Sequence, residues 1–97
     1  MADVRFEWTA AKNAANQDKH GVSFEEAQSV FLDGNAIQFF DQPHSGKEDR
    51  FLMLGLSCHL RILLVSHTYR EEDSVIRIIS ARDATARERQ HYTRKKP

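Results

Sequence analysis

The segment Leu60–Arg82, LRILLVSHTYREEDSVIRIISAR, decides the fold because it contains the most apolar stretch of the chain. It predicts two β-strands, Leu60–Tyr69 and Val75–Arg82, joined by a charged turn at Arg70–Ser74. In the first strand, apolar residues occupy both alternating sets of positions, which is typical of a central strand covered on both faces. We therefore expect this pair of strands at the centre of a sheet.

Polar and charged side chains stand toward the ends of the two predicted strands. The first strand carries His67, Tyr69 and Arg70, and the second carries Arg77 and Arg82. A buried sheet that presents cations at its rim would serve as a scaffold for binding an anion. The same pattern also arises wherever an antiparallel pair of strands enters solvent, so both interpretations stay open at this point.

The length and composition of the chain indicate one ordinary globular domain, which we place at residues 1–97. Its 97 residues are 40% hydrophobic and 29% charged, and the single cysteine, Cys58, cannot form an internal disulfide. No apolar run approaches the roughly 20 residues needed to span a bilayer, and the N-terminus lacks the basic-then-apolar order of a signal peptide. We therefore expect a cytoplasmic protein with no membrane partner.

The sequence lacks the motifs of several kinds of metal site and enzyme. The five histidines are scattered and there is no CxxC, so neither a metal nor another cofactor is expected. There is also no glycine-rich phosphate loop and no GxSxG motif. The residues therefore give no support to a kinase, a nucleotide-binding fold or an ordinary hydrolase.

Charge is distributed unevenly along the chain, although the formal net charge is zero. Residues 77–97 contain seven basic and two acidic residues, a net charge of +5, and residues 1–76 carry −5. A basic end on an otherwise acidic small protein suggests that one face binds a polyanion or an acidic partner. A solvated terminal helix would explain the same numbers.

Local signals predict the elements around the central pair of strands. Thr9 can cap a first helix that ends at Gly21, and Ser23 with Glu26 forms a capping-box pattern at the start of a second helix. The other predicted elements are strands at 4–8, 36–40 and 50–57 and a C-terminal helix at 86–94. The order β-α-α-β-β-β-β-α predicts an α+β fold, with helices packed on an antiparallel sheet.

The first predicted helix carries a stripe of polar residues at helical spacing. Trp8, Lys12, Asn16 and His20 are four residues apart, and Lys19 lies beside the last of them. This stripe could point at a ligand, with the two lysines contacting phosphate. Alternatively, Trp8 belongs to the core, Asn16 satisfies backbone groups, and Lys19 and His20 meet the negative end of the helix dipole.

His67 and the arginines of the central strands are the candidates for chemistry. A histidine within an apolar strand is either a buried structural residue or a general acid or base. Arg70, Arg77 and Arg82 either pair with nearby carboxylates or offer their planar guanidinium groups to phosphate. Without a metal, these residue types leave RNA cleavage by the substrate's own 2′-hydroxyl, which needs a base, an acid and cations around the transition state.

Four segments, in this order, resemble the BrnT toxins of type II toxin–antitoxin systems. They are FEWxxxKxxxNxxKHGVSFEEA at 6–27, DRFxxxGLS at 49–57, LLVSHTYR at 63–70 and RIISARDATxxER at 77–89. The resemblance implies a RelE-like fold, endoribonuclease activity that inhibits translation, and neutralisation by a BrnA-type antitoxin. It also implies that the antitoxin carries a ribbon-helix-helix DNA-binding region, so that DNA is contacted indirectly through the antitoxin.

Two positions depart from the pattern of the family. Thr9 stands where the family usually has Asp, and either residue can cap a helix. Tyr69 stands where the family often has Glu, which removes a carboxylate that could have served as a base or an arginine partner. The expected mechanism therefore depends on His67 and on the arginines.

We predict that Arg77 and Arg82 stabilise the scissile phosphate and that His67 acts as acid or base. The predicted substrate-binding residues are Arg70, Lys12, Lys19, Asn16 and His20. Arg77 and Arg82 fall on opposite faces of an ideal strand, so a bulge or the turn into the last helix would have to bring them together. The alternative is a non-catalytic module that binds RNA or the antitoxin through the basic C-terminal region.

Overall fold

The structure, a computed structural model, describes residues 4–95. The strands in this range are β1 (Arg5–Glu7), β2 (Ile37–Phe40), β3 (Arg50–Leu56), β4 (Ile62–Arg70) and β5 (Val75–Asp83). The α-helices are α1 (Ala10–His20), α2 (Phe24–Ser29) and α3 (Ala86–Lys95), with short 3₁₀ turns at Val30–Leu32 and Gln42–His44. The predicted order of helices and strands is confirmed.

The five strands form one sheet in the order β1-β5-β4-β3-β2. Strands β2 to β5 pair antiparallel with their neighbours, and the predicted hairpin of β4 and β5 occupies the middle of the sheet. The α+β class is therefore confirmed. The sheet is mixed rather than wholly antiparallel, because β1 joins the outer edge of β5 in parallel.

Helices α1 and α2 cover one face of the sheet. The core on this side contains Leu63 and Val65 from β4 and Ile78 and Ala81 from β5. Against these strands pack four fully buried residues of the helical segment, namely Val22, Phe24, Ala27 and Val30. This packing accounts for one of the two apolar sets of positions in β4.

Helix α3 covers part of the opposite face. Leu54, Leu64 and Tyr92 form the core there, and Tyr92 donates its hydroxyl to Asp33 Oδ2 at 2.6 Å. Burial, with the neighbouring Asp33 carboxylate, raises the pKa of Tyr92 to about 12. The same carboxylate oxygen accepts the backbone N–H of Leu56 at 2.8 Å. One end of this face is therefore closed by α3, and the other end stays open around Ser66.

Polar side chains set the starts of α1 and α2. Thr9 Oγ1 accepts the Lys12 N–H at 3.2 Å, and Ser23 Oγ accepts the Glu26 N–H at 3.0 Å, as predicted. The second hydrogen bond of a capping box, in which the Glu26 carboxylate would accept the Ser23 N–H, was also expected, and this expectation was wrong. The Glu26 carboxylate instead accepts two hydrogen bonds from the Arg61 guanidinium, a stronger partner than a neutral backbone N–H.

A bulge interrupts the pairing of β4 with β5. Ser66 pairs with Ser80, and the next residue of β4, His67, pairs with Ile78, so that Ile79 is an extra residue on β5. An extra residue shifts the alternation of side chains on the bulged strand by one position. The residues of β5 that follow Ile79 therefore face the side opposite to the one expected for an ideal strand.

Candidate functional site

The bulge places Arg77 and Arg82 on the same face of the sheet. Arg77 pairs with Thr68 and Arg82 pairs with Leu64, and these two partners lie four residues apart on the unbulged strand β4. Side chains four positions apart on a regular strand share a face, and paired residues share it as well. The bulge that a common site for Arg77 and Arg82 requires is therefore present.

Two further arginines lie on this face. Arg50 is the partner of Thr68 on β3, and Arg70 lies two residues beyond Thr68 along β4. We call the face that carries Arg50, Arg70, Arg77 and Arg82 the arginine face. It is the face that α3 covers at one end.

Carboxylates hold two of these arginines at the edge of the sheet. Arg77 Nη1 lies 2.9 Å from Glu7 Oε2, and Arg70 Nε lies 3.8 Å from the same oxygen. Arg70 Nη2 also lies 3.2 Å from Glu48 Oε2. Both guanidinium groups are therefore oriented, and each is partly neutralised.

Arg82 forms a bidentate pair with Glu88 at the start of α3. The Nη1–Oε1 and Nη2–Oε2 distances are 2.8 and 3.0 Å, and these hydrogen bonds lower the pKa of Glu88 and raise the pKa of Arg82. Glu88 Oε1 also accepts the Thr85 N–H at 2.9 Å, and Thr85 Oγ1 accepts the Glu88 N–H at 3.1 Å. The reciprocal hydrogen bonds of Thr85 and Glu88 at the start of α3 therefore also position Arg82.

A groove of about 290 Å³ opens on the arginine face between the bulge and the loop that follows β2. It is lined by Asp41, His44, Arg50, Leu52, Leu64, Ser66, Ile79, Ser80 and Arg82. We call it the bulge groove. Within the described range 4–95, Arg50 forms no ion pair, so its charge is available to an incoming anion.

The bulge groove contains a histidine–aspartate pair that is not among the site residues predicted from the sequence. His44 Nδ1 lies 3.0 Å from both carboxylate oxygens of Asp41. Asp41 precedes the 3₁₀ turn Gln42–His44 and His44 is its last residue. Residues three apart in such a turn lie above one another, so the DQPH spacing is the signal that could have revealed the pair.

His67 lies on the opposite face, away from the four arginines. Its side chain is 0% exposed, Nδ1 lies 3.0 Å from the Val65 carbonyl oxygen and Nε2 lies 3.0 Å from Gln38 Oε1. The ring of Phe31 packs edge-on at a centroid distance of 4.8 Å. Burial lowers the pKa of His67, which favours the neutral ring.

Asn16 joins α1 to the edge of β5. Its side chain is 7% exposed and donates to the carbonyl oxygens of Val22 at 2.8 Å and Ala81 at 2.9 Å. Its Oδ1 accepts the Ala81 N–H at 3.1 Å. Both backbone groups of Ala81 are thus satisfied by one side chain, directly beside the bulge.

Three basic residues of α1 lie next to the bulge. Lys12, Lys19 and His20 line a hollow of about 280 Å³ together with Ile79 and Ser80. Ile79 and Ser80 also line the bulge groove. The predicted residues of α1 therefore reach the bulge at Ile79 and Ser80, whereas His67 is buried in the core on the side of the sheet that α1 and α2 cover.

The described residues contain neither a grouped set of metal ligands nor a helix able to span a membrane. Between residues 4 and 95, no three His, Cys, Asp or Glu side chains are grouped as a metal site. In the same range, no helix has the length and apolar character needed to cross a membrane.

The fold and this site are those of a small α+β protein whose sheet presents arginines around an open groove. The family model described as "Ribonuclease toxin, BrnT, of type II toxin-antitoxin system" matches residues 8–88. The chain belongs to this family, as the sequence motifs indicated, and it is therefore a ribonuclease toxin of a type II system with an antitoxin as partner.

A solved structure has the same fold. The crystal structure of the Brucella abortus ribonuclease toxin BrnT superposes with a TM-score of 0.60 and 22% sequence identity. The superposition covers 88% of this chain and 99% of the Brucella chain. No curated protein sequence matches this chain.

Proposed function

We propose that this toxin is a metal-independent endoribonuclease of the cytoplasm that cleaves RNA, inhibits translation and is neutralised by a BrnA-type antitoxin of the ribbon-helix-helix class. The single observation that carries the proposal is the arginine face. Four guanidinium groups lie on one face of a rigid sheet, and Arg50 and Arg82 line an open groove there. Planar guanidinium groups match the geometry of phosphate.

The reaction that fits these groups uses the substrate's own 2′-hydroxyl. A base removes the 2′-hydroxyl proton, and the 2′-oxygen attacks the adjacent phosphorus. The bond from phosphorus to the 5′-oxygen then breaks, and an acid donates a proton to that oxygen. The products are a 2′,3′-cyclic phosphate and a 5′-hydroxyl, so the step needs no oxidant and no co-reactant.

The four arginines fall into two pairs, one at the groove and one toward the edge of the sheet. Arg50 and Arg82 line the groove, and in this proposal they stabilise the negative charge that develops on the phosphorane-like transition state. Arg70 and Arg77 lie farther toward the sheet edge and would contact flanking phosphates. Lys12 and Lys19 extend the same basic path across the bulge.

This proposal gives His67 a structural role, whereas the sequence predicted that it acts as acid or base. Nδ1 lies 3.0 Å from the Val65 carbonyl oxygen, Nε2 lies 3.0 Å from the side-chain amide of Gln38, and no part of the side chain reaches solvent. We propose that His67 stabilises the core beside Phe31 and does not transfer protons. Its variants should then lose stability in proportion to any loss of activity.

The test is cleavage of a 5′-labelled RNA by the purified protein in EDTA. Arg50→Ala and Arg82→Ala should each lower the cleavage rate roughly 10²- to 10³-fold, the usual effect of losing one transition-state contact. Arg87→Ala is the matched control, because Arg87 is an exposed residue of α3 outside the groove and its removal changes the net charge equally. The fragments should end in 2′,3′-cyclic phosphate.

The cellular part of the proposal is tested by expression. The parent protein should arrest growth and protein synthesis when produced alone, and co-expression of the antitoxin should relieve the arrest. Arg50→Ala should not arrest growth, whereas Arg87→Ala should. If Arg50→Ala arrests growth as strongly as the parent, the arginine face is not the toxic site.

A second candidate function is a non-catalytic module that binds RNA or the antitoxin. The observation in its favour is that Arg70, Arg77 and Arg82 already pair with carboxylates, which acidic side chains of a partner could replace. A module of this kind would bind RNA without cutting it. The labelled-RNA assay on free RNA and on translating ribosomes separates the two functions.

A further inference from the structure

We infer that His44 is the residue that moves protons in this cleavage and that Asp41 positions it. The inference rests on the proposed ribonuclease function and adds to it an acid–base residue in the bulge groove. Three features carry it: the geometry of the pair, the anchoring of its loop and the charged groups that surround it.

The geometry leaves one nitrogen of His44 available. Asp41 is 8% exposed, and its two oxygens both lie 3.0 Å from His44 Nδ1. The His44 side chain is 70% exposed, and Nε2 has no hydrogen-bond partner among the described residues 4–95. A carboxylate on Nδ1 fixes the tautomer in which Nε2 accepts a proton, which is the arrangement of a general base.

The loop that carries His44 is anchored to the sheet. The Asp41 N–H donates to the Arg50 carbonyl oxygen at 2.8 Å. Ser45 Oγ donates to the Asp41 carbonyl oxygen at 2.8 Å and accepts the Arg50 N–H at 2.9 Å. Because both ends of the loop are tied to the first residue of β3, the ring of His44 stays beside the Arg50 side chain. Fixed placement of this kind is what proton transfer requires.

The charged groups around His44 come from the loop and from two strands. They are Asp41, Lys47 and Glu48 from the loop, Arg50 from β3 and Arg82 from β5. The carboxylate of Asp41 stabilises the imidazolium that forms when the ring takes a proton. The two arginines would hold the phosphate next to the ribose whose 2′-hydroxyl loses that proton, and the imidazolium can then donate the proton to the departing 5′-oxygen. Base, orienting carboxylate and phosphate-binding cations therefore line one groove.

The other histidines do not reach this groove. All five lie in the described range, and His44 is the one that lines the bulge groove. His67 is buried on the opposite face, and His20 lies in the hollow on the outer side of the bulge. His59 lies 3.3 Å from Glu26 and is 67% exposed, away from the arginines. It resembles His44 in exposure and in having a carboxylate partner, and so provides a matched control.

The test compares His44→Gln, Asp41→Asn and the control His59→Gln with the parent protein. His44→Gln should lower kcat roughly 10²- to 10⁴-fold, the usual contribution of a general acid or base. The Kd for an uncleavable RNA, 2′-deoxy at the mapped cleavage site, should change less than about twofold. Asp41→Asn should lower kcat by up to about 10⁴-fold, the effect of removing the carboxylate that orients a general-base histidine. His59→Gln should cleave like the parent.

The pH dependence separates proton transfer from a structural effect. General acid–base catalysis makes the rate depend on pH, so the profile of kcat/KM in the parent should have a limb that His44→Gln lacks. A His44→Gln variant that keeps more than about a third of the parent rate, or the full pH profile, overturns the inference and leaves the ribonuclease function standing. A parent that cleaves neither free RNA nor RNA on translating ribosomes overturns the proposed function and this inference with it.

Discussion

Asn16 connects the stability of the fold to the position of the site, and its replacement by alanine is the most informative stability experiment. The side chain makes three hydrogen bonds to backbone groups, two of them to Ala81 and one to Val22. Ala81 lies directly before Arg82 on β5. Asn16→Ala removes all three bonds and leaves the backbone groups of a buried residue without their partner.

The expected loss of stability follows from these contacts. Each hydrogen bond contributes about 0.5–1.5 kcal/mol net, and a buried backbone group left unsatisfied costs about 1–3 kcal/mol. Alanine returns about 0.5 kcal/mol through its higher helix propensity. We therefore expect Asn16→Ala to lower the free energy of unfolding by about 3 kcal/mol. This is a large fraction of the 5–15 kcal/mol that is usual for a domain.

Equilibrium unfolding in urea measures this change. With an m-value of about 1–1.5 kcal/mol/M for a small protein, the midpoint should fall by roughly 2–3 M. Gln17→Ala is the matched control, because Gln17 is the next residue of α1 and is exposed, and its midpoint should correspond to a change within about 0.5 kcal/mol. A folded Asn16→Ala protein that has lost less than about 1 kcal/mol, yet binds RNA weakly, would refute the structural role and favour the predicted contact with substrate.

Three further predictions concern the pH dependence and packing of the fold. Hydrogen bonds from Arg61 lower the pKa of the buried Glu26 from 4.5 to about 2, so about 3 kcal/mol of stability that is present above pH 4.5 should vanish as the pH falls toward 2. Thermal unfolding of Glu26→Gln should lack this dependence. His67 is held neutral by burial, so stability should fall below about pH 6.5 by up to about 1.4 kcal/mol per pH unit, and His67→Gln should remove that slope. A Cβ on Gly55 would lie 2.9 Å from two neighbouring carbons, so Gly55→Ala should cost about 1–3 kcal/mol in urea unfolding, whereas Gly46→Ala, with open space around it, should not.

The elements of the fold could be predicted because their signals are local. The apolar run in β4 fills both sets of alternating positions, and such a run fits a strand covered on both faces. Thr9 and Ser23 cap their helices by accepting the backbone N–H three residues further on, and Gly21 takes the positive φ of 69° at the end of α1. Each of these features depends on residues within four positions of one another.

The parts of the site that could not be predicted depend on residues far apart in the chain. Glu26 has the spacing of a capping box, but Arg61 approaches from the hairpin of β3 and β4 and captures the carboxylate. His67 has the composition of an acid or base, but Gln38 and the Val65 carbonyl oxygen bind its ring in the core. No pattern in the sequence around either residue reports these partners.

The bulge at Ile79 explains why a basic stretch becomes a binding surface. An ideal β5 would send Arg77 and Arg82 to opposite faces, and one of the two would then point toward α1 and α2, where an unpaired charge is costly. The extra residue turns Arg82 outward and Ala81 inward, and Ala81 is small enough to lie fully buried beneath the helices. The irregular backbone at this point lies at the edge of β5, where Asn16 takes up the hydrogen bonds of Ala81. The feature that fills the core on one face thus assembles the arginines on the other, so selection for a stable core and for a working site would act on the same few residues.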